Sequence, residues 1–139
     1  MISTLSGTVA TLGVDSCVIE VGGVGLQVQL TPRHILKLKV GQAARIETRL
    51  VVREDELSLF GFLSSQEREQ FDLLCSVSGI GPKLAMTTLA GMDASGIADA
   101  VNNQDEAAFR AVPGIGPKTA KLILISLGGR VGPSAQNPT

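Results

Sequence analysis

Residues 77–89, Val-Ser-Gly-Ile-Gly-Pro-Lys-Leu-Ala-Met-Thr-Thr-Leu, and residues 112–124, Val-Pro-Gly-Ile-Gly-Pro-Lys-Thr-Ala-Lys-Leu-Ile-Leu, carry the same pentapeptide at an offset of 35. Around Gly79-Ile80-Gly81-Pro82-Lys83 and Gly114-Ile115-Gly116-Pro117-Lys118, the same offset also matches Val77 with Val112, Ala85 with Ala120 and Leu89 with Leu124. A repeat this exact, placed between stretches of helical periodicity, predicts two copies of helix, tight hairpin, helix that pack as a pseudo-twofold pair.

The residue types in the repeat suit an anion. Glycine tolerates left-handed backbone, and Gly81 and Gly116 carry no Cβ, so N–H groups can come close to a bound group. Ile80 and Ile115 are expected to anchor each turn in the core. Pro82 and Pro117 suit the first position of a helix, whose free N–H groups and positive dipole end point at the same place. Lys83 and Lys118 add a cation at the rim, with Lys121 one turn further on. A phosphate diester fits such a site. Nothing in it reads bases, so sequence-insensitive binding is expected. Two plainer readings compete. The glycines could merely turn the chain under solvated lysines, but the duplication of Pro and Lys at the same offset weighs against that. A P-loop would need Gly directly before the Lys of Lys118-Thr119, where Pro117 stands.

Working outward, the stretch from Ser64 to Gly129 reads as helical. Ser64-x-x-Glu67 and Asn103-x-x-Glu106 look like capping boxes, Asp93 like a helix cap, and Gly128-Gly129 like a stop. Helices are expected from Pro82 to about Leu89 and from Pro117 to about Leu127.

Residues 1–63 instead alternate with period two, in runs such as Cys17-Val18-Ile19-Glu20-Val21 and Ala44-Arg45-Ile46-Glu47-Thr48-Arg49-Leu50-Val51-Val52. Gly22-Gly23 supplies a two-residue hairpin, and Thr31-Pro32 opens a short helix through Leu38. Five or six strands with one short helix fit a small closed barrel, of OB type in preference to SH3-like. The fold class is therefore α+β, with a barrel over residues 1–63, a tandem helix-hairpin-helix unit over 64–130 and a flexible linker over 131–139.

Composition sets limits. The chain has 139 residues, 44% of them hydrophobic, and no apolar run long enough to span a membrane; its N-terminus has no signal-peptide pattern, so a cytoplasmic address is expected. A net charge of −1 counts against nucleic acid as a partner, yet Arg110, Lys118, Lys121 and Arg130 are the only charges after Glu106. Cys17 and Cys75 are too far apart in sequence for metal-ligand spacing and read as buried thiols.

Arg53-Glu54-Asp55-Glu56 reads as an acidic hairpin tip, with a solvated turn as the plain alternative. A metal-dependent nuclease would need partner carboxylates or histidine at ligand spacing, and none is visible. His34 is the only histidine and has no triad partner, so a surface or packing role is expected. With no Trp or Tyr and four Phe, the barrel lacks the aromatic surface that holds single strands, which favours a scaffolding role. No catalytic residue, metal or cofactor is expected.

These segments together resemble the RuvA family, whose members bind Holliday junctions in the RuvAB branch-migration machine. The resemblance is carried by Ile19-Glu20-Val21-Gly22-Gly23-Val24-Gly25, Val51-Val52-Arg53-Glu54-Asp55, Leu59-Phe60-Gly61-Phe62, and the two hairpins with their flanks, Gly79 to Ala85 and Pro113 to Ala120. It implies DNA-binding in recombination, repair and the SOS response. It also implies a fourfold-symmetric homotetramer, with an octamer of two tetramers left open, that holds a four-way junction in planar form. The hairpins would grip backbone phosphates, and Glu54 and Asp55 would be the carboxylates of a central acidic pin. ATP-driven migration would belong to a RuvB-type motor contacted through a third domain. The sequence departs from that pattern in ending within linker-like residues, so the third domain is expected to be absent, and Gly128-Gly129 stands where charged residues are the family pattern.

Overall fold

A computed structural model describes residues 2–132. Its elements in order are β1 (Thr4–Leu12), β2 (Ser16–Val21), β3 (Val24–Gln29), α1 (Pro32–Ile35), β4 (Ala43–Arg53), β5 (Glu56–Phe62), α2 (Ser65–Cys75), α3 (Pro82–Gly91), α4 (Ala94–Asn102), α5 (Glu106–Arg110) and α6 (Pro117–Leu127). The chain divides into two compact units, one ending at Arg68 and the other beginning at Glu69, with the division inside α2.

In the first unit five strands close a barrel in the order β1-β2-β3-β5-β4, with β1 against β4. Every pairing is antiparallel except that of β3 with β5, which meets only at Val28↔Leu59 and Gln29↔Phe60. A Greek-key barrel closed by one short parallel contact is the OB-type arrangement expected from the sequence. The period-two pattern turns Leu5, Val9, Cys17, Ile19, Val28 and Ile46 inward, where each is buried. Gly22 and Gly23 take φ of +59° and +88° between Val21 and its partner Val24, the positive pair that a two-residue hairpin demands. Gly61 lies where strands and core converge: a Cβ there would fall on Leu30 Cδ2 and come within 2.7 Å of Ile46 and 2.8 Å of Val28.

The short helix α1 begins as expected, with Thr31 Oγ1 accepting from the His34 N–H at 3.3 Å. It ends at Ile35 rather than Leu38, because Lys37 and Leu38 donate to carbonyls three residues back and tighten the chain into turns. His34 is buried, which resolves its expected role as packing.

From α2 onward, across the end of the first unit and through the second, the elements are helices. Ser64 Oγ accepts from Glu67 N–H at 3.2 Å, while Glu67 Oε1 accepts from Leu63 N–H at 3.3 Å, one residue before the reciprocal bond of a capping box. Asp93 caps α4 through Gly96 N–H at 2.7 Å. The second expected box is not formed. Asp105, not Asn103, caps α5 by accepting from Ala108 N–H, because Gln104 adopts φ +52° and carries the turn two residues onward. Phe71, Leu74, Leu89, Ile97, Phe109, Ile123 and Leu127 form the buried interior. Gly128 caps α6, as expected. The linker expectation falls mainly on residues 133–139, outside the described residues; Val131 is buried, and Gly132 O accepts from Asn102 Nδ2 at 3.0 Å.

Cys17 is buried, and burial pushes its thiol pKa up. Cys75 is only half-buried, short of the full burial expected. No helix among the described residues is long and apolar enough to cross a membrane.

Candidate nucleic-acid interface

The two pentapeptides fold alike. Gly79 and Gly114 take φ of +93° and +95°, a region in which a side chain would be strained, so glycine is required at the first position. Gly81 and Gly116 are extended, at φ −95° and −92°, and each is the N-cap of the helix that follows. Ile80 N–H donates to Val77 O, and Ile115 N–H to Val112 O, both at 3.1 Å. The two isoleucine side chains are buried, so these residues anchor the turns and use their own N–H groups inside them.

Beyond the turn, the helix N-termini are open. Asp93 and Asp105 close α4 and α5 with carboxylate caps, whereas neither Gly81 nor Gly116 offers a side chain to α3 or α6. The first helical bonds reach Gly81 O from Ala85 N–H and Gly116 O from Ala120 N–H, at 3.0 and 2.9 Å. The N–H groups of Lys83 and Leu84, and of Lys118 and Thr119, precede those bonds and have no intrahelical acceptor. Pro82 and Pro117 have no N–H to satisfy at the first position. What remains is a cup of backbone donors at a positive helix end, with an exposed lysine on each rim, Lys83 and Lys118.

The two cups are reciprocal neighbours. A Cβ on Gly114 would touch Leu84 Cδ1 at 3.0 Å, and one on Gly79 would lie 3.9 Å from Thr119 Oγ1. Leu84 and Thr119 are equivalent positions of the repeat, so each copy sets the same residue against the other's first glycine. That is the signature of a pseudo-twofold pair. Lys118 and Lys121, three residues apart on α6, are both exposed. Arg110 belongs less to this positive end than its charge suggests, since its Nε lies 3.8 Å from Glu106 Oε1.

Glu54 and Asp55 form the two-residue turn between β4 and β5, closed by the pair Arg53↔Glu56, and both are exposed. They lie in the first unit and the hairpin cups in the second. Sequence reasoning missed the apolar pair just behind this tip, Val52 and Leu57, which face each other across the strands at 61% and 70% exposure. Their place in a Val-Val-Arg and Glu-Leu-Ser alternation was the available signal. All four phenylalanines are buried. Among the described residues no three His, Cys, Asp or Glu side chains come together as a metal site.

An OB-type barrel followed by paired helix-hairpin-helix turns defines a two-part class of chain whose most distinctive surface feature is a duplicated helix start without a side-chain cap. The comparisons agree with both parts: the family model described as RuvA N terminal domain matches residues 1–61, and the SAM-like Helix-hairpin-helix tandem matches residues 71–128. The chain belongs to the RuvA family. A relative from Leifsonia xyli subsp. xyli is 53% identical over 131 residues, covering 94% of this chain and 63% of the relative. One from Streptomyces coelicolor is 49% identical over 132 residues, covering 95% and 66%; one from Arthrobacter sp. is 49% identical over 133 residues, covering 96% and 62%. Each of these relatives is named Holliday junction branch migration complex subunit RuvA. The chain thus spans about three fifths to two thirds of their length.

Proposed function

We propose that this chain binds four-way junction DNA through its sugar-phosphate backbone, without reading sequence, as the non-motor subunit of a branch-migration complex. The observation that carries this reading is the duplicated cup: two turns of matching φ, two helix ends left uncapped beside two that are capped, and a lysine at each rim. Phosphates take N–H donors and a helix dipole well, and paired cups suit two phosphates of one backbone. The named relatives support the junction as the substrate.

On this reading Gly79, Gly81, Gly114 and Gly116 admit the phosphate, Ile80 and Ile115 hold the turns, and Lys83, Lys118 and Lys121 supply charge. Glu54 and Asp55 repel phosphates at the centre of a homotetramer. The chain has no catalytic step of its own and needs no cofactor; a RuvB-type ATPase is the motor partner, and the assembly works in the cytoplasm with the DNA. A nuclease or glycosylase docking through the same turns is the rival. His34, the only histidine, is buried and so is poorly placed for chemistry on DNA.

A gel-shift series with four-way, linear duplex and single-stranded DNA of equal length tests the proposal. Preference for the four-way form, with no strand cleavage on prolonged incubation, is expected. Equal retention of all three forms would overturn it.

A further inference from the structure

The tip of the β4–β5 hairpin stands free of the other strands. β1 pairs with β4 no further than Glu47, and β3 meets β5 only at Leu59 and Phe60. The pairs Val51↔Ser58, Val52↔Leu57 and Arg53↔Glu56 therefore form a two-stranded ribbon closed by Glu54 and Asp55. A solvated ribbon has no need of two large aliphatic side chains directly opposite each other, both mostly exposed.

The charge around that pair limits what can cover it. Glu54, Asp55 and Glu56 outweigh Arg53, so a phosphate backbone is repelled from the tip. Glu56 Oε1 already accepts from Ser58 Oγ at 2.8 Å, which leaves Glu54 and Asp55 as the open acceptors. An uncharged group with an apolar face and amino donors on its edge complements both features, and a nucleobase out of its pair is such a group. No aromatic side chain is exposed to stack on it, since all four phenylalanines are buried. An aliphatic wedge can serve where stacking cannot, by occupying the space between unstacked base steps.

We infer that Val52 and Leu57 form an apolar wedge for bases unpaired at the crossing of a four-way junction, with Glu54 and Asp55 accepting from their exocyclic amino groups. The inference rests on the junction reading proposed above. It gives the hairpin an attractive role toward bases beside its repulsive role toward phosphates.

The test is the paired substitution Val52→Thr, Leu57→Thr in the 139-residue chain; threonine keeps the strand propensity and removes the apolar surface. The probe is a four-way junction with 2-aminopurine beside the crossing, which brightens as its base unstacks. Junction affinity is expected to stay within about threefold of the parent, while the brightening on binding falls by more than half. The apolar control Val52→Ile, Leu57→Met is expected to keep it. Undiminished brightening in the threonine variant overturns the wedge alone, as does an equal loss in the Ile/Met control. A change in oligomeric state in the threonine variant also overturns it, and assigns the pair to contacts between chains. If the parent chain binds the four-way form no better than duplex, the junction reading fails and the wedge falls with it.

Discussion

Lys83 and Lys118 occupy equivalent rims of the two cups, so each is expected to hold one phosphate and no base. Lys83→Ala and Lys118→Ala should then weaken binding alike on unrelated sequences, and lower the slope of log affinity against log salt by roughly 1 for each phosphate no longer neutralised. Titrations between low and moderate salt read this directly; an unchanged slope in both variants would count against phosphate binding by these lysines. His34 makes a different prediction, about the fold. Burial, together with the nearby Lys37 charge, lowers its pKa to about 4 from an ordinary 6.5, and its Nδ1 has no partner. The unfolded chain therefore binds a proton that the folded chain refuses between those two values. Stability is full above pH 6.5 and falls as the pH drops toward 4, by at most about 1.4 kcal/mol per pH unit from this residue. Chemical denaturation at several pH values should show that loss, and His34→Gln should flatten it. The histidine's burial was not legible in the sequence, because its depth depends on how α1 seats on the barrel. Glycine at the first position of each hairpin was legible, since a tight turn before Pro at a helix start leaves little else possible.

At the scale of elements, the repeat made the hairpins readable before any coordinates, and period-two alternation did the same for the strands. The failures came where a local signal had two valid outcomes. Asn103-x-x-Glu106 has the spacing of a capping box, yet Asp105 two residues later is an equally good cap, and Asp105 N–H bonding to Ala100 O fixes the later start. Likewise, Thr31-Pro32 announces where α1 begins, but nothing in Leu36-Lys37-Leu38 announces the tighter turns that end it. The acidic hairpin could be placed at a tip but not seen to outrun its neighbours, because the reach of a strand is set by pairing partners distant in sequence. That reach frames a prediction about Glu54 and Asp55. Two like charges about 4 Å apart repel by about 1 kcal/mol in bulk water and roughly 4 at an effective dielectric of about 20, so an exposed carboxylate pair matters most where phosphates converge. Glu54→Gln with Asp55→Asn should tighten linear duplex more than four-way junction at one salt concentration, narrowing the ratio of the two affinities. A ratio that holds or widens would reduce the pair to a solvated turn.

At the scale of the whole molecule, a chain of net charge −1 has little long-range attraction for DNA, so on the proposed reading its binding would come from a few local contacts multiplied by assembly. One chain offers two cups. A tetramer would offer on the order of eight, and light scattering should then report a mass four times the 14.4 kDa of one chain. Counterion release turns this into a measurable slope: with about eight phosphates neutralised, log affinity should fall against log salt with a slope near about −7 on a four-way junction. A linear duplex of equal length cannot follow four arms, so it should engage fewer cups and show a clearly shallower slope. The two slopes separate assembly-driven recognition from simple stickiness, because local cups acting one chain at a time would give the same small slope on both DNAs. Raising salt should therefore erode the preference for the junction as well as the affinity, and at low salt that preference should be greatest. Parallel slopes on junction and duplex, measured at protein concentrations where the tetramer is intact, would show that the cups do not act together.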